Sequence, residues 1–169
     1  MRLTRLGNHL TQITKFPNLF PVSAYFVAED DGLTLIDTGL PGDGRGYLAQ
    51  AKALGGPIRR IVLTHAHGDH VGSLDELAAA LPGIDVIASV RDARFLRGER
   101  ALDADEPQAS LRGSITTIKT ALTRTVSAGD RIGSLEVVAT PGHTPGHIAL
   151  LDTRDGTLVA GDALMTLGG

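Results

Sequence analysis

The nine residues T-H-A-H-G-D-H-V-G, Thr64 to Gly72, contain three of the chain's six histidines together with an aspartate. Neutral imidazole nitrogens and carboxylate oxygens are both donors to divalent cations, so His65, His67, Asp69 and His70 form a candidate metal cluster. Their spacing fits that chemistry. Residues two apart in an extended chain point to the same side, so His65 and His67 project together from the end of the apolar run Arg60–Leu63 (R-I-V-L). Each imidazole nitrogen must come within about 2.0–2.1 Å of a shared ion, which same-face neighbours can do. Gly68 then permits a turn that re-aims Asp69 and His70, so that one of the pair can serve a second ion.

A second cluster, T-P-G-H-T-P-G-H from Thr140 to His147, also follows an apolar run, and its two prolines and two glycines restrict the backbone. His143 is placed to complete three histidines on one ion. His147 either ligates or only hydrogen-bonds nearby. The run Val159-Ala160-Gly161-Asp162 again ends an apolar stretch in a carboxylate, and the two oxygens of Asp162 suit a bridge between two ions.

Other chemistries are narrowed by what the chain lacks. There is no cysteine, which excludes disulfides, a thiolate nucleophile and Cys-ligated metal. Net charge is −3 with both signs interspersed, so no basic stripe speaks for nucleic acid. Apolar residues at 42% and charged residues at 21% are ordinary for a globular chain. No segment approaches the ~20 apolar residues of a membrane span. The start M-R-L-T-R-L-G-N-H-L-T-Q has no signal-like apolar run, and a cytoplasmic protein acting on a small molecule is expected. Asp37-Thr38-Gly39 is a lone triplet where aspartic-protease chemistry needs two carboxylates sharing a proton. Gly42–Gly46 (G-D-G-R-G) matches no phosphate-loop pattern and reads as a strand-to-helix connection. The arginines of 91–100 and 112–131 read as a solvated surface.

The elements that must hold these clusters alternate. Strands are expected at 8–15, 23–28, 33–36, 60–63, 84–90, 135–140, 148–151 and 157–160. Helices are expected near 47–54, from Ser73 to about Leu81 with a Ser73/Glu76 capping box, and from Arg91. Residues 98–125 read as a polar connection with one weak helix, suited to a substrate-facing insertion. This order gives one α/β domain in two halves, about 1–97 and 126–169, rather than a doubly wound sheet.

H-A-H-G-D-H, T-P-G-H-T-P-G-H and the later G-D together resemble the metallo-β-lactamase superfamily, and L-I-D-T-G (Leu35–Gly39) falls where that family has an Asp-containing strand end. The resemblance implies an αββα sandwich with a metal site at the rim between the sheets. It implies that His65, His67 and His143 hold a first ion, and that Asp69, His70 and Asp162 hold a second, with Asp162 bridging. His147 and Asp37 would then orient ligands. The implied ion is Zn2+, one or two per chain, with Mn2+ or Fe2+ as alternatives. The family usually adds a further histidine from a late C-terminal strand. This chain ends at Gly169, seven residues past Asp162, without such a histidine. The implied form therefore has the C-terminal part of its second half missing, and a partner chain in a homo-oligomer could complete the site.

Three functions remain open at this level. The first is a hydrolase of a lactone, ester or thioester. There a metal-bound hydroxide attacks, because the ion lowers the pKa of water to about 7, and Asp69 orients it. The second is an oxidoreductase similar to the mononuclear iron sulfur dioxygenases of the family, for which His65, His143 and Asp162 suffice. The third is an inactive short chain that self-associates through an uncovered apolar sheet.

Overall fold

The computed structural model describes residues 1–108, 110–111 and 113–164, so Arg112 lies outside the described residues. Its first sheet has seven strands in sequence order: β1 (Arg2–Leu6), β2 (Leu10–Lys15), β3 (Val22–Glu29), β4 (Gly32–Ile36), β5 (Ile58–Val62), β6 (Asp85–Ser89) and β7 (Arg124–Val126). Pairing is antiparallel from β1 to β4 and parallel from β4 to β7. Parallel neighbours need crossovers. These are supplied by α1 (Gly44–Ala53), by α2 (Gly68–Val71) with α3 (Leu74–Ala80), and by α4 (Val90–Leu96). A second, antiparallel sheet has the order β11 (Leu158–Val159), β10 (Ile148–Asp152), β9 (Leu135–Ala139), β8 (Arg131–Ile132).

The period-2 alternation of the strands decides where the core lies. One face of the first sheet, including Phe26, Leu35 and Ile61, packs with Tyr47 of α1, Leu74 and Leu77 of α3, and Phe95 and Leu96 of α4. The other face, including Val27, Ile36, Val62 and Ile87, packs with Leu135, Val137, Ile148 and Leu150 of the second sheet. Central parallel strands are buried on both faces, which explains the continuous apolar runs there. The layers run helix, sheet, sheet, in keeping with the α/β sandwich. The carboxyl ends of β4, β5 and β6 open on one edge, and loops there can converge, as ligand-binding loops do in open α/β sheets.

Three local expectations differ from what is seen. Ser73 makes no helix-capping bond. Its Oγ instead donates to the Leu40 carbonyl at 2.6 Å and accepts from the Asp43 N–H at 2.8 Å, while Glu76 Oε2 accepts from the Gly44 N–H at 3.2 Å. Tertiary partners outcompete the local box. The connection holds no helix among the described residues, and its end forms β7 on the first sheet because Arg124–Val126 pairs with Ile87–Ser89. β1 lies outside the expected strands. Its alternation is weak because it is an edge strand paired on one side only.

Candidate metal centre

Asp37 stands just past β4 at φ 61°, a left-handed conformation that Asp tolerates better than most residues. Buried to 1% exposure, it faces the start of the His65 loop. Its Oδ1 accepts from the Thr64 N–H at 2.8 Å, and its Oδ2 accepts from the Thr64 hydroxyl at 2.8 Å and from His70 Nδ1 at 2.7 Å. With its own proton given to Asp37, the Thr64 hydroxyl accepts from His65 Nδ1 at 3.0 Å. Asp37 thus orients His70 directly and His65 through one hydroxyl, and turns the Nε2 of each ring inward.

Two groups of ligand atoms result. His65, His67 and His143 form one, and His65, His70 and Asp162 the other, with the ligand atoms of each group within 4.8 Å of one another. His67 Nδ1 lies 3.1 Å from His65 Nε2 and 2.9 Å from His143 Nε2. Asp162 presents Oδ1 to His70 Nε2 at 3.4 Å and Oδ2 to His143 Nε2 at 3.3 Å, so its two oxygens face different groups. Ligands at 2.0–2.1 Å from a tetrahedral ion lie about 3.4 Å apart. Those four separations lie within about 0.5 Å of that value, so the donor sets suit divalent ions. Asp69 belongs to neither group. Its carboxylate is about one-third exposed and lies 3.9 Å from His70 Nε2.

Electrostatics follow from burial and neighbours. Burial and the surrounding histidines push His65 far below the usual histidine range, keeping its lone pair available. Burial also opposes charge on His70, but Asp37 and Asp162 outweigh it and raise its pKa to about 10. The hydrogen bond from His70, against burial, lowers Asp162. Burial lowers His147 to about 4, partly opposed by Asp37. In His147, Nδ1 is 2.7 Å from the Thr140 hydroxyl and Nε2 accepts the Asp162 N–H at 3.0 Å. The latter bond uses the lone pair a metal would need and fixes the backbone of Asp162.

Two cavities meet these groups. One of about 230 Å³ is bordered by Phe20, Tyr25, Asp37, Asp69, His70 and Asp162. The other, about 630 Å³ and more apolar, is bordered by Leu102, Pro107, Leu111, Pro141, Pro145 and His143. The connection does more than pass by: Gly68 N–H donates to Ser114 O and Thr116 N–H to Ala66 O, both at 2.9 Å, so it lies along the histidine loop.

Sequence reasoning missed Asp92, buried at 1% exposure beside both histidine loops. The signal was there in S-V-R-D (Ser89–Asp92), a second capping-box pattern. Tyr25 and Phe20, at the first cavity, carried no distinguishing pattern.

The close packing around His147 yields a prediction. Gly161 has φ +53°, and a Cβ there would lie 2.7 Å from His147 Nε2 and 3.2 Å from Thr64 Cβ. Gly161→Ala is expected to cost about 1–2 kcal/mol for the left-handed backbone alone. It should also displace the ring that holds Asp162. Thermal unfolding and metal content would check this; unchanged values for both would show that the packing tolerates the methyl group.

The metallo-beta-lactamase superfamily model matches residues 17–168. The chain is 48% identical over 170 residues to YobT, an uncharacterized protein of Bacillus subtilis, covering 100% of this chain and 72% of that one. It is 37% identical over 125 residues to a hydroxyacylglutathione hydrolase of Rhodospirillum rubrum, covering 72% of this chain but 40% of the enzyme. Among solved structures, the di-iron-bound form of TTHA1623 superposes with a TM-score of 0.70 at 29% identity, over 91% of this chain and 72% of that one.

Proposed function

The chain belongs to the metallo-beta-lactamase superfamily, and on that premise we propose that it is a metal-dependent hydrolase whose substrate is a thioester, ester or lactone. The observation that carries this reading is the convergence of His65, His67, His143, His70 and Asp162, with one cavity bordered by His70 and Asp162 and another by His143. Likeness to a hydroxyacylglutathione hydrolase supports a thioester within that class. In the absence of cysteine the donors are nitrogen and oxygen only, which suits zinc. Iron or manganese fits the same set, and a solved neighbour carries two irons.

When bound, a divalent ion supplies a lowered pKa for water and a polarised carbonyl. The remaining work falls to the chain's own residues. Asp37 holds His70 and, through Thr64, His65. His147 holds the backbone of Asp162, whose carboxylate bridges the two groups. Asp69, at the solvent side of the smaller cavity, accepts the proton of the attacking water at Oδ2 and returns it to the leaving sulfur or oxygen. The apolar walls of the larger cavity, Leu102, Leu111 and the prolines around His143, receive the acyl portion and exclude water from it. Copies of the chain associate in this proposal through the outer face of the second sheet, where Val138 and Leu151 are half-buried and Leu158 is exposed.

The test is hydrolysis of a panel of acyl thioesters, aryl esters and lactones by zinc-loaded protein. At least one class should turn over, with the rate lost on chelation and restored by zinc. A rate that survives complete removal of the metal would refute the reading. Oxygen consumption with a persulfide in place of hydrolysis would favour the iron oxidoreductase.

A further inference from the structure

One buried carboxylate is left unused by this mechanism. Asp92 Oδ2 accepts from the Ala66 N–H at 2.9 Å and from the Thr144 hydroxyl at 2.8 Å, and Oδ1 accepts from the Gly146 N–H at 2.9 Å. Ala66 lies between His65 and His67, while Thr144 and Gly146 lie between His143 and His147. A carboxylate so enclosed is costly unless its oxygens are hydrogen-bonded, and among the described residues no cation forms an ion pair with it. The partners are all donors from the two metal-site loops. The carrier is rigid: the Asp92 N–H is held by Ser89 Oγ at 3.0 Å, and Ala93, Phe95 and Leu96 of α4 are buried. Contact is close enough that a Cβ on Gly146 would fall 2.5 Å from Asp92 Oδ1 and meet the Asp92 backbone nitrogen as well.

We infer that Asp92 is a positioning residue for the metal centre, tying the His65–His67 segment of one sheet to the His143–His147 segment of the other. His143 reaches the site from the second sheet, so its distance to His65 and His67 is not set by either sheet alone. The bonds of Asp92 supply that link. This inference rests on the metal-centre reading above.

The test uses the full chain, stripped of metal and titrated with zinc alone against a chromophoric chelator. Asp92→Asn keeps the shape but turns an NH2 toward a donor. It should weaken zinc binding by about 10–100-fold, the usual effect of losing a partner that orients ligands. It should also change the visible spectrum of the cobalt-substituted protein. Thr144→Val removes one of the three bonds and should give a smaller loss in the same direction; it carries the test if Asp92→Asn does not fold. Asp152→Asn weakens the ion pair with Arg154 at the far end of β10, away from both loops, so it should lower the melting temperature of the metal-free chain and leave zinc affinity unchanged. Folded Asp92→Asn or Thr144→Val with wild-type affinity and cobalt spectrum would overturn the inference. So would a loss of affinity in Asp152→Asn that follows its loss of stability. If the wild-type chain binds no zinc, the metal-centre reading itself fails; tight wild-type binding with equally tight variants sinks only the role of Asp92.

Discussion

His67→Ala is expected to strip the chain of most of its metal and to abolish hydrolysis, while His9→Ala leaves both unchanged. His67 is the point through which the three-histidine group is connected, its Nδ1 within about 3 Å of the Nε2 of both His65 and His143. Losing a partner that merely orients a ligand costs about 10–100-fold in metal affinity, so removing the ligand itself should exceed about 100-fold. Fold loss is a poor rival explanation. The ring of His67, 4% exposed, packs against Gly113 and the other site histidines, and the His67 carbonyl would still accept from the His70 and Val71 N–H groups in the alanine variant. His9 sits in the β1–β2 turn, and its carbonyl accepts the Ala28 N–H at 2.9 Å, a bond alanine preserves. Elemental analysis and chelator competition on the two variants separate the cases. Equal metal loss from both would sink the assignment.

The clusters were legible because ligand chemistry is written in residue type and short spacing. His65, His67, His70, His143 and Asp162 fall into the two candidate ligand groups: His65 and His67 follow β5, His70 lies in the first turn of α2, and His143 and Asp162 follow β9 and β11. Less legible was which acids stay local. Ser73–Glu76 and Ser89–Asp92 carry the same capping pattern, yet Glu76 reaches α1 and Asp92 reaches two distant loops. A local pattern names a bond an acid can make; tertiary donors decide which it does make. His147 shows the same limit. Its sequence context equals that of His143, and only the Asp162 N–H at its Nε2 distinguishes orientation from ligation. The polar connection read as a loop because its pairing partners, the His67 loop and β6, are far away in sequence.

Asp37 gives the second large effect, and its two substitutions should part company. Asp37→Ala removes the acceptor of the Thr64 N–H and the carboxylate beside His70. Breaking a buried charged pair from one side costs about 3–5 kcal/mol, and alanine at φ 61° adds about 1–2 kcal/mol. Against a typical total of about 5–15 kcal/mol, the melting temperature should fall by about 10 °C or more. Asp37→Asn is gentler on the fold, because asparagine tolerates the left-handed backbone and one oxygen can still accept from Thr64. Its defect is chemical. The amide NH2 would donate to His70 Nδ1 and drive the ring proton to Nε2, the atom that faces Asp162 at 3.4 Å. That nitrogen then lacks a lone pair for a metal, a wrong-tautomer effect of the kind known when a triad aspartate becomes asparagine. Metal affinity of the His65, His70, Asp162 group should drop by about 10–100-fold, whereas the His65, His67, His143 group, which loses only the indirect support of His65 through Thr64, should keep its ion with a smaller loss. Metal titration of the folded Asn variant should show one tight site where the wild type shows two. Two undiminished sites would mean that Asp37 serves the fold alone and that the orientation of His70 is set elsewhere.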